Sequence, residues 1–178
     1  MGVADVHAME RLNVPAVRPR PDGAVREVGW AEFGELAKTL ADRIASEFRP
    51  EVVLGISNGG VFVGGALAPA LRAEFHSVNV AKNGQRRSVP EPVSGVRGKA
   101  VLVVDDVIVS GATMKAACAA AKRAGARELR TATLVARPEG AHPDYHLIET
   151  KNLVVFGWDY GLDQGGGAAG GDPGEVGV

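Results

Sequence analysis

Val101-Leu102-Val103-Val104-Asp105-Asp106-Val107-Ile108-Val109-Ser110-Gly111-Ala112-Thr113 is the stretch of this 178-residue chain that decides its fold. The run from Ala100 to Val104 is apolar without alternation, as in a strand buried on both faces, and such strands belong to parallel sheets covered by helices. The strand delivers two adjacent carboxylates to its C-terminal end, and a short loop leads into an Ala-rich helix from Gly111 to Ala124. In open α/β sheets the ligand crevice lies outside the C-terminal ends of the strands. The helix start offers unpaired backbone N–H groups and a favourable dipole, which suits a phosphate. Ser110 and Thr113 add hydroxyl donors, and Gly111 lets the backbone come close. Asp105 and Asp106 would repel a phosphate but accept hydrogen bonds from sugar hydroxyls or help hold Mg2+. One sugar phosphate satisfies both halves. The plainer reading, Ser110 as a helix cap with both acids in solvent, is disfavoured by the acids sitting directly after a buried strand. A phosphorelay receiver places its acidic pair after the first strand, whereas this pair stands well past mid-chain.

Working outward, Phe33, Leu36, Leu40 and Ile44 share one face of a helix beginning at Trp30 and closed by Pro50. Glu51 to Ile56 reads as a short buried strand and Val61 to Leu71 as a small-residue helix packed on the sheet. Phe75 to Ala81 reads as a strand, with Gly125 capping the Ala-rich helix further on. Glu128 to Ala136 and Leu153 to Phe156 read as two more strands. Between Lys82 and Lys99 runs a polar stretch without periodic structure, the kind of long loop that serves as a functional lid or is disordered. The fold class is therefore α/β, a central mostly parallel sheet flanked by helices. The expected organisation is an N-terminal arm over 1–27, one domain over 28–163 and a Gly-rich tail over 164–178. Seven of the last fourteen residues are Gly, which marks that tail as solvated.

Composition narrows the class. Lys plus Arg total 20 against 21 Asp plus Glu, a net charge of −1 that argues against a dedicated nucleic-acid binder. Hydrophobic residues at 46% suffice for a sizeable core. A single cysteine, Cys118, rules out an intrachain disulfide and fits a reducing cytosol. The uncharged window Val52–Leu71 has the length of a membrane span, but its glycines, Ser57, Asn58 and Pro69 fit a buried strand, turn and helix better. A soluble, cytoplasmic protein is expected.

The segment around Asp105 resembles the phosphoribosyl-diphosphate (PRPP) motif of type I phosphoribosyltransferases, in which apolar residues precede an acidic pair and a Thr/Ser-Gly-x-Thr turn. Gly55-Ile56-Ser57-Asn58-Gly59-Gly60 is similar to the family's pyrophosphate loop, and no Walker lysine follows it. The polar stretch 82–98 falls where the family has its flexible active-site loop. Ala136-Arg137-Pro138-Glu139-Gly140 and Val155-Phe156-Gly157-Trp158-Asp159-Tyr160-Gly161 are most similar to the bacterial xanthine/guanine branch. The resemblance implies the type I fold with a small hood from the chain termini, transfer of phosphoribose from PRPP to a nucleobase with release of pyrophosphate, Mg2+ as cofactor, and a homodimer. It implies that Asp105 and Asp106 hold the ribose hydroxyls, that Val109 to Thr113 hold the 5-phosphate, and that Ser57, Asn58, Gly59 and Gly60 hold the diphosphate. Lys82, Arg86 and Arg87 would close on the diphosphate or form an ordinary solvated loop. Arg137, Leu153, Val154 and Asp159 would surround the base, with Asp159 joining the acidic pair as a metal ligand.

The sequence departs from the 6-oxopurine pattern at three places. Val109 stands where those enzymes carry an Asp that bonds the purine N7 and serves as general acid or base, which valine cannot do. Leu153 replaces the aromatic ring that stacks on the purine, and Asn58 replaces a basic residue facing the diphosphate. Two alternatives to salvage of a 6-oxopurine follow: a PRPP or nucleotide sensor that regulates without turnover, and a transferase for another acceptor. His142 and His146 have metal-ligand spacing but enclose Pro143 and Asp144, so they are read as loop residues. Cys118 reads as a small core residue, Trp30 and Phe33 as core anchors, and Trp158 as packing.

Overall fold

In the computed structural model, residues 25–84 and 86–159 are described. The expected tail, most of the expected arm, and Tyr160 and Gly161 of the hood motif lie outside the described residues. Five strands form one parallel sheet: β2 (Val52–Ile56), β3 (Glu74–Val78), β6 (Ala100–Ile108), β7 (Glu128–Ala136) and β8 (Ile148–Glu149), in the order β3-β2-β6-β7-β8. Three helices flank the sheet: α1 (Trp30–Glu47) precedes β2, α2 (Gly59–Leu71) joins β2 to β3, and α3 (Ala112–Arg123) joins β6 to β7.

The sheet divides the core in two. On one face Leu102, Val104, Val53 and Leu134 meet Phe33, Leu36, Leu40 and Ile44 of α1 and Val63 and Leu67 of α2. On the other, Val52, Leu54, Ile56, Val101 and Val103 meet Met114, Ala117 and Ala121 of α3. Successive strand residues point to opposite faces, so strands packed on both sides must be apolar throughout, which is why β2 and the first half of β6 show no alternation. The uncharged Val52–Leu71 window is β2, a turn and α2, as expected. Among the described residues no helix is long and apolar enough to cross a membrane.

A second, two-stranded parallel sheet forms the hood. β1 (Arg26–Val28) pairs with β9 (Val154–Phe156) in the register Arg26↔Val154, Glu27↔Val155, Val28↔Phe156. β1 carries only one buried residue, Val28, so it has no periodicity to read. It begins two residues inside the segment assigned to the arm.

Several boundaries differ from expectation for identifiable reasons. β6 runs on through both acids to Ile108, because β7 continues beside it with Val107↔Val135 and Ile108↔Ala136. The strand read as Phe75–Ala81 stops at Val78, and Ala81 opens a hairpin instead: β4 (Ala81–Asn83) pairs antiparallel with β5 (Arg86–Ser88). The 82–98 stretch is therefore not a structureless lid. Its second half packs on the α3 face through Val89 and Val93 and the fully buried Val96. β8, only two residues long, left no pattern to detect. Trp30 is 56% exposed rather than a core anchor, while Phe33 is buried as expected.

Candidate active site at the sheet switch point

Strand order places the site. From β2 the chain steps outward to β3, then returns to lay β6 on the other side of β2. The loops leaving β2 and β6 consequently diverge to opposite faces of the sheet and leave a crevice between them. The β2–β6 ladder ends at Gly55↔Val104. Asp105 and Asp106 lie just beyond that point, where β6 outruns β2 and only β7 still pairs with it.

The two acids fix each other. Asp105 Oδ1 accepts the Asp106 N–H at 3.1 Å, and Asp106 Oδ1 accepts the Val107 N–H at 2.7 Å. Burial, reinforced by the neighbouring Asp106 charge, pushes the Asp105 carboxyl up to about 8. Burial also raises Asp106; the Val107 N–H opposes that shift, and the Asp159 carboxylate adds to it. The pair therefore retains a proton near neutrality, which belongs to the pair as a unit. Asp159 is exposed on the rim, and its Oδ2 accepts the Phe156 N–H at 2.8 Å, which fixes it to the end of hood strand β9. The Asp159 charge is felt by Asp106, and carboxylate oxygens are the donors that Mg2+ takes. Buried acids that cannot both ionise on their own suit a counter-cation, so these residues fit the metal implied by the resemblance.

The loop after β2 reaches the same place. It turns through a cis Ser57–Asn58 peptide into α2. Gly59 and Gly60 are buried against the acids: a Cβ on Gly60 would meet Val104 O at 2.5 Å and Asp105 Cα at 3.0 Å. The Ser57 amide and hydroxyl both donate to Val78 O, at 2.9 and 3.3 Å. Its side chain therefore braces the loop. Asn58 is exposed at the N-terminus of α2, where its carbonyl accepts the Val61 N–H at 3.2 Å.

The β6–α3 turn follows the expected pattern. Gly111 adopts the left-handed conformation, φ 73°, and a Cβ there would meet Ala141 Cβ at 2.5 Å, so both conformation and space require glycine. Ser110 Oγ receives the Ala112 N–H only at 3.4 Å, a weak cap that leaves most of its hydrogen-bonding capacity unused. Val109, Ser110, Arg137, Pro138, Glu139, Gly140 and Lys151 line a cleft of about 490 Å3. Val109 is 56% exposed beside that cleft, and Leu153 of the hood is 59% exposed. Val154 is buried in the hood ladder.

Two groups make contacts within the chain that the sequence did not announce. Arg137 lines the cleft, but its Nη1 donates to the carbonyls of Thr150, at 3.0 Å, and Asn152. It thus ties the segment leading into hood strand β9 to the end of β7, at the residue where the resemblance implies a base contact. In the hairpin, Arg87 Nη1 donates to the carbonyls of Gly84 and Arg86 at 3.1 and 3.2 Å. Arg87 closes its own turn, while Lys82 and Arg86 are exposed.

Sequence reasoning missed the Lys151–Glu139 ion pair, 2.6 Å, at the mouth of the cleft. It also missed how Trp158 is held, stacked between Phe62 of α2 (4.8 Å, 9°) and Phe156 of β9 (4.6 Å, 6°). Only contacts between distant segments create these features, so no local signal announced them. Cys118 is half-buried, and burial pushes its thiol up to about 11, as suits an inert packing residue.

The same architecture recurs in known proteins. A purine phosphoribosyltransferase from Pyrococcus horikoshii superposes with TM-score 0.70 at 26% identity, covering 76% of this chain and 94% of that one. The Helicobacter pylori xanthine-guanine-hypoxanthine phosphoribosyltransferase superposes with TM-score 0.70 at 16% identity, covering 78% and 96%, a likeness of fold alone. A curated relative, transcriptional regulator GfcR of Methanosphaera stadtmanae, is 30% identical over 138 residues, 71% of this chain and 69% of its own length. The chain spans 45% and 62% of two further curated relatives. Residues 29–165 match the phosphoribosyl transferase domain, and the chain belongs to that family, with its type I fold.

Proposed function

We propose that the protein transfers the 5-phosphoribosyl group from PRPP to a nucleobase of purine type and releases pyrophosphate. One observation carries the reading: the acidic pair and the Gly59–Gly60 loop are packed within contact distance, so ribose hydroxyls and a diphosphate are recognised at one rim. In the reaction the bond from ribose C1 to the diphosphate oxygen breaks, a bond from C1 to a base nitrogen forms, and that nitrogen loses its proton. Asp105 and Asp106 accept hydrogen bonds from the ribose hydroxyls and lie near the positive charge that develops on the sugar. The amides and hydroxyls of Ser110 to Thr113 hold the 5-phosphate at the N-terminus of α3, and the first turn of α2 holds the diphosphate. Leu153 provides an apolar cover for the base. Asp105, Asp106 and Asp159 would hold Mg2+, which neutralises the leaving diphosphate when bound. Positioning and electrostatics do most of the catalytic work.

The test is pyrophosphate release with PRPP, Mg2+ and guanine, xanthine, hypoxanthine, adenine, uracil or orotate. Base-dependent release is expected, and its absence across the panel sinks the transferase reading.

A second reading has specific support. The relative at 30% identity is named a transcriptional regulator, and Val109 removes the acid–base group of the 6-oxopurine enzymes. A regulator on this fold binds PRPP or a nucleotide without turnover. Tight PRPP binding by calorimetry, with no pyrophosphate released on any base, is the result that selects it.

A further inference from the structure

The segment between β7 and β8 is a loop, and its His142 and His146 meet Glu149 of β8, bringing three metal-ligating side chains together. One ligand atom each from His142, His146 and Glu149 lies within 4.8 Å of the others. The two imidazole centroids are 6.1 Å apart, and His146 Nε2 is 3.7 Å from Glu149 Oε2. The backbone beneath them is fixed. Asp144 Oδ2 accepts from the Thr131 amide and hydroxyl, both at 2.8 Å. Tyr145 is buried and exchanges backbone hydrogen bonds with Thr131 and Thr133 at 3.0 Å each. Arg43 Nη1 donates to the His146 carbonyl at 3.0 Å. The extended backbone, pinned along the edge of β7, does for these residues what a helical face would otherwise do.

We propose that His142, His146 and Glu149 bind one zinc-class divalent cation. Two imidazoles and a carboxylate form a borderline-soft donor set that favours Zn2+ over Mg2+, and three protein ligands leave a fourth position open to water. Tetrahedral coordination at zinc–ligand distances brings donor atoms to roughly 3.3 Å from one another. Rotation of the exposed His142 and Glu149 side chains closes the difference. The ion would brace the segment behind the phosphate turn, because the Ala141 amide, next to His142, donates to Val109 O at 3.0 Å.

The test uses the full, tag-free, metal-stripped chain. Zn2+ is titrated by calorimetry in the presence of excess Mg2+, and Co2+ by visible absorption. One Zn2+ per chain, a Tm that rises on binding and tetrahedral Co2+ bands are expected. His142→Ala and Glu149→Gln, both at exposed positions, should weaken Zn2+ binding by at least about tenfold while leaving the metal-free Tm unchanged. Asp105→Asn should leave it intact. Unchanged affinity in the first two variants, loss of binding in Asp105→Asn, or no binding by the parent chain at micromolar Zn2+ overturns the proposal.

Discussion

A side-chain carbon at Gly59 would lie 1.8 Å from Oδ2 of Asp106. The first residue of α2 and the second acid of β6 thus occupy neighbouring space that only a hydrogen at Gly59 leaves free. Gly59→Ala must displace either the Asp106 carboxylate or the start of α2, and overpacking of this kind costs about 1–3 kcal/mol. PRPP affinity should fall at least about tenfold, the equivalent of 1.4 kcal/mol, with a Tm lower by several degrees. Calorimetric titration with PRPP and a thermal melt check both, and wild-type affinity would show that the two loops do not share the ligand.

The raised Asp105 carboxyl sets a pH dependence. Its folded value of about 8 lies far above the unfolded value near 4, so between roughly pH 4 and 8 the native chain binds the extra proton. Stability therefore falls as pH rises through that window. Asp105→Asn keeps the oxygen that accepts the Asp106 N–H and removes the titration. The variant should melt higher than wild type at pH 8, by about 2 kcal/mol or roughly 5 °C, with the gap closing towards pH 5. A Tm difference that does not change with pH would contradict the buried, raised acid.

The same proton must leave when a cation binds the ionised pair. Binding of Mg2+ with PRPP should therefore tighten from pH 6 to about pH 8. Calorimetry in buffers of different ionisation enthalpy should show net proton release. Turnover should be lost in Asp105→Asn with Asp106→Asn, with the far-UV circular dichroism unchanged.

Arg137 grips the Thr150 and Asn152 carbonyls, so Arg137→Met should loosen the hood and not merely change which base is preferred. We expect kcat/KM to fall by a similar factor for oxo and amino bases, with faster amide exchange in 152–156. A loss confined to oxo bases would restore Arg137 as a base reader.

Val109→Asp places a carboxylate beside the cleft where 6-oxopurine enzymes have one. A shift of kcat/KM towards guanine or hypoxanthine relative to adenine is expected. No shift would mean that the base lies elsewhere.

Much of the fold was legible because β2, α2, β6 and α3 each carry a strong local pattern. Buried runs of Val and Leu, small residues after a turn, and Gly111 at a left-handed position are set by nearest-neighbour sterics and by burial on both faces. The acidic pair was legible for the same reason: two charges directly after such a run mark where the strand leaves the fully buried core, although β6 itself continues through both acids to Ile108. The hairpin in 82–98 was not legible, because three-residue strands with polar side chains carry no periodic signal. The hood was half legible. β9 shows a short apolar run, but β1 becomes a strand only because β9 is there to pair with it.

The amino-acid sequence alone pointed to an α/β domain resembling the phosphoribosyltransferases, and it placed the buried strands, the glycine turn at Gly111 and the two acids along the chain. The strands, helices and turn rest on contacts within a dozen residues, where backbone sterics and burial leave few choices, and the family rests on the resemblance of its motifs. Tertiary structure decided what distant segments do to one another. It set Gly59 against Asp106, turned Arg137 onto the hood backbone, clasped Trp158 between Phe62 and Phe156, and gathered His142, His146 and Glu149 along one edge. Such relations depend on strand order and packing, which no window of sequence contains.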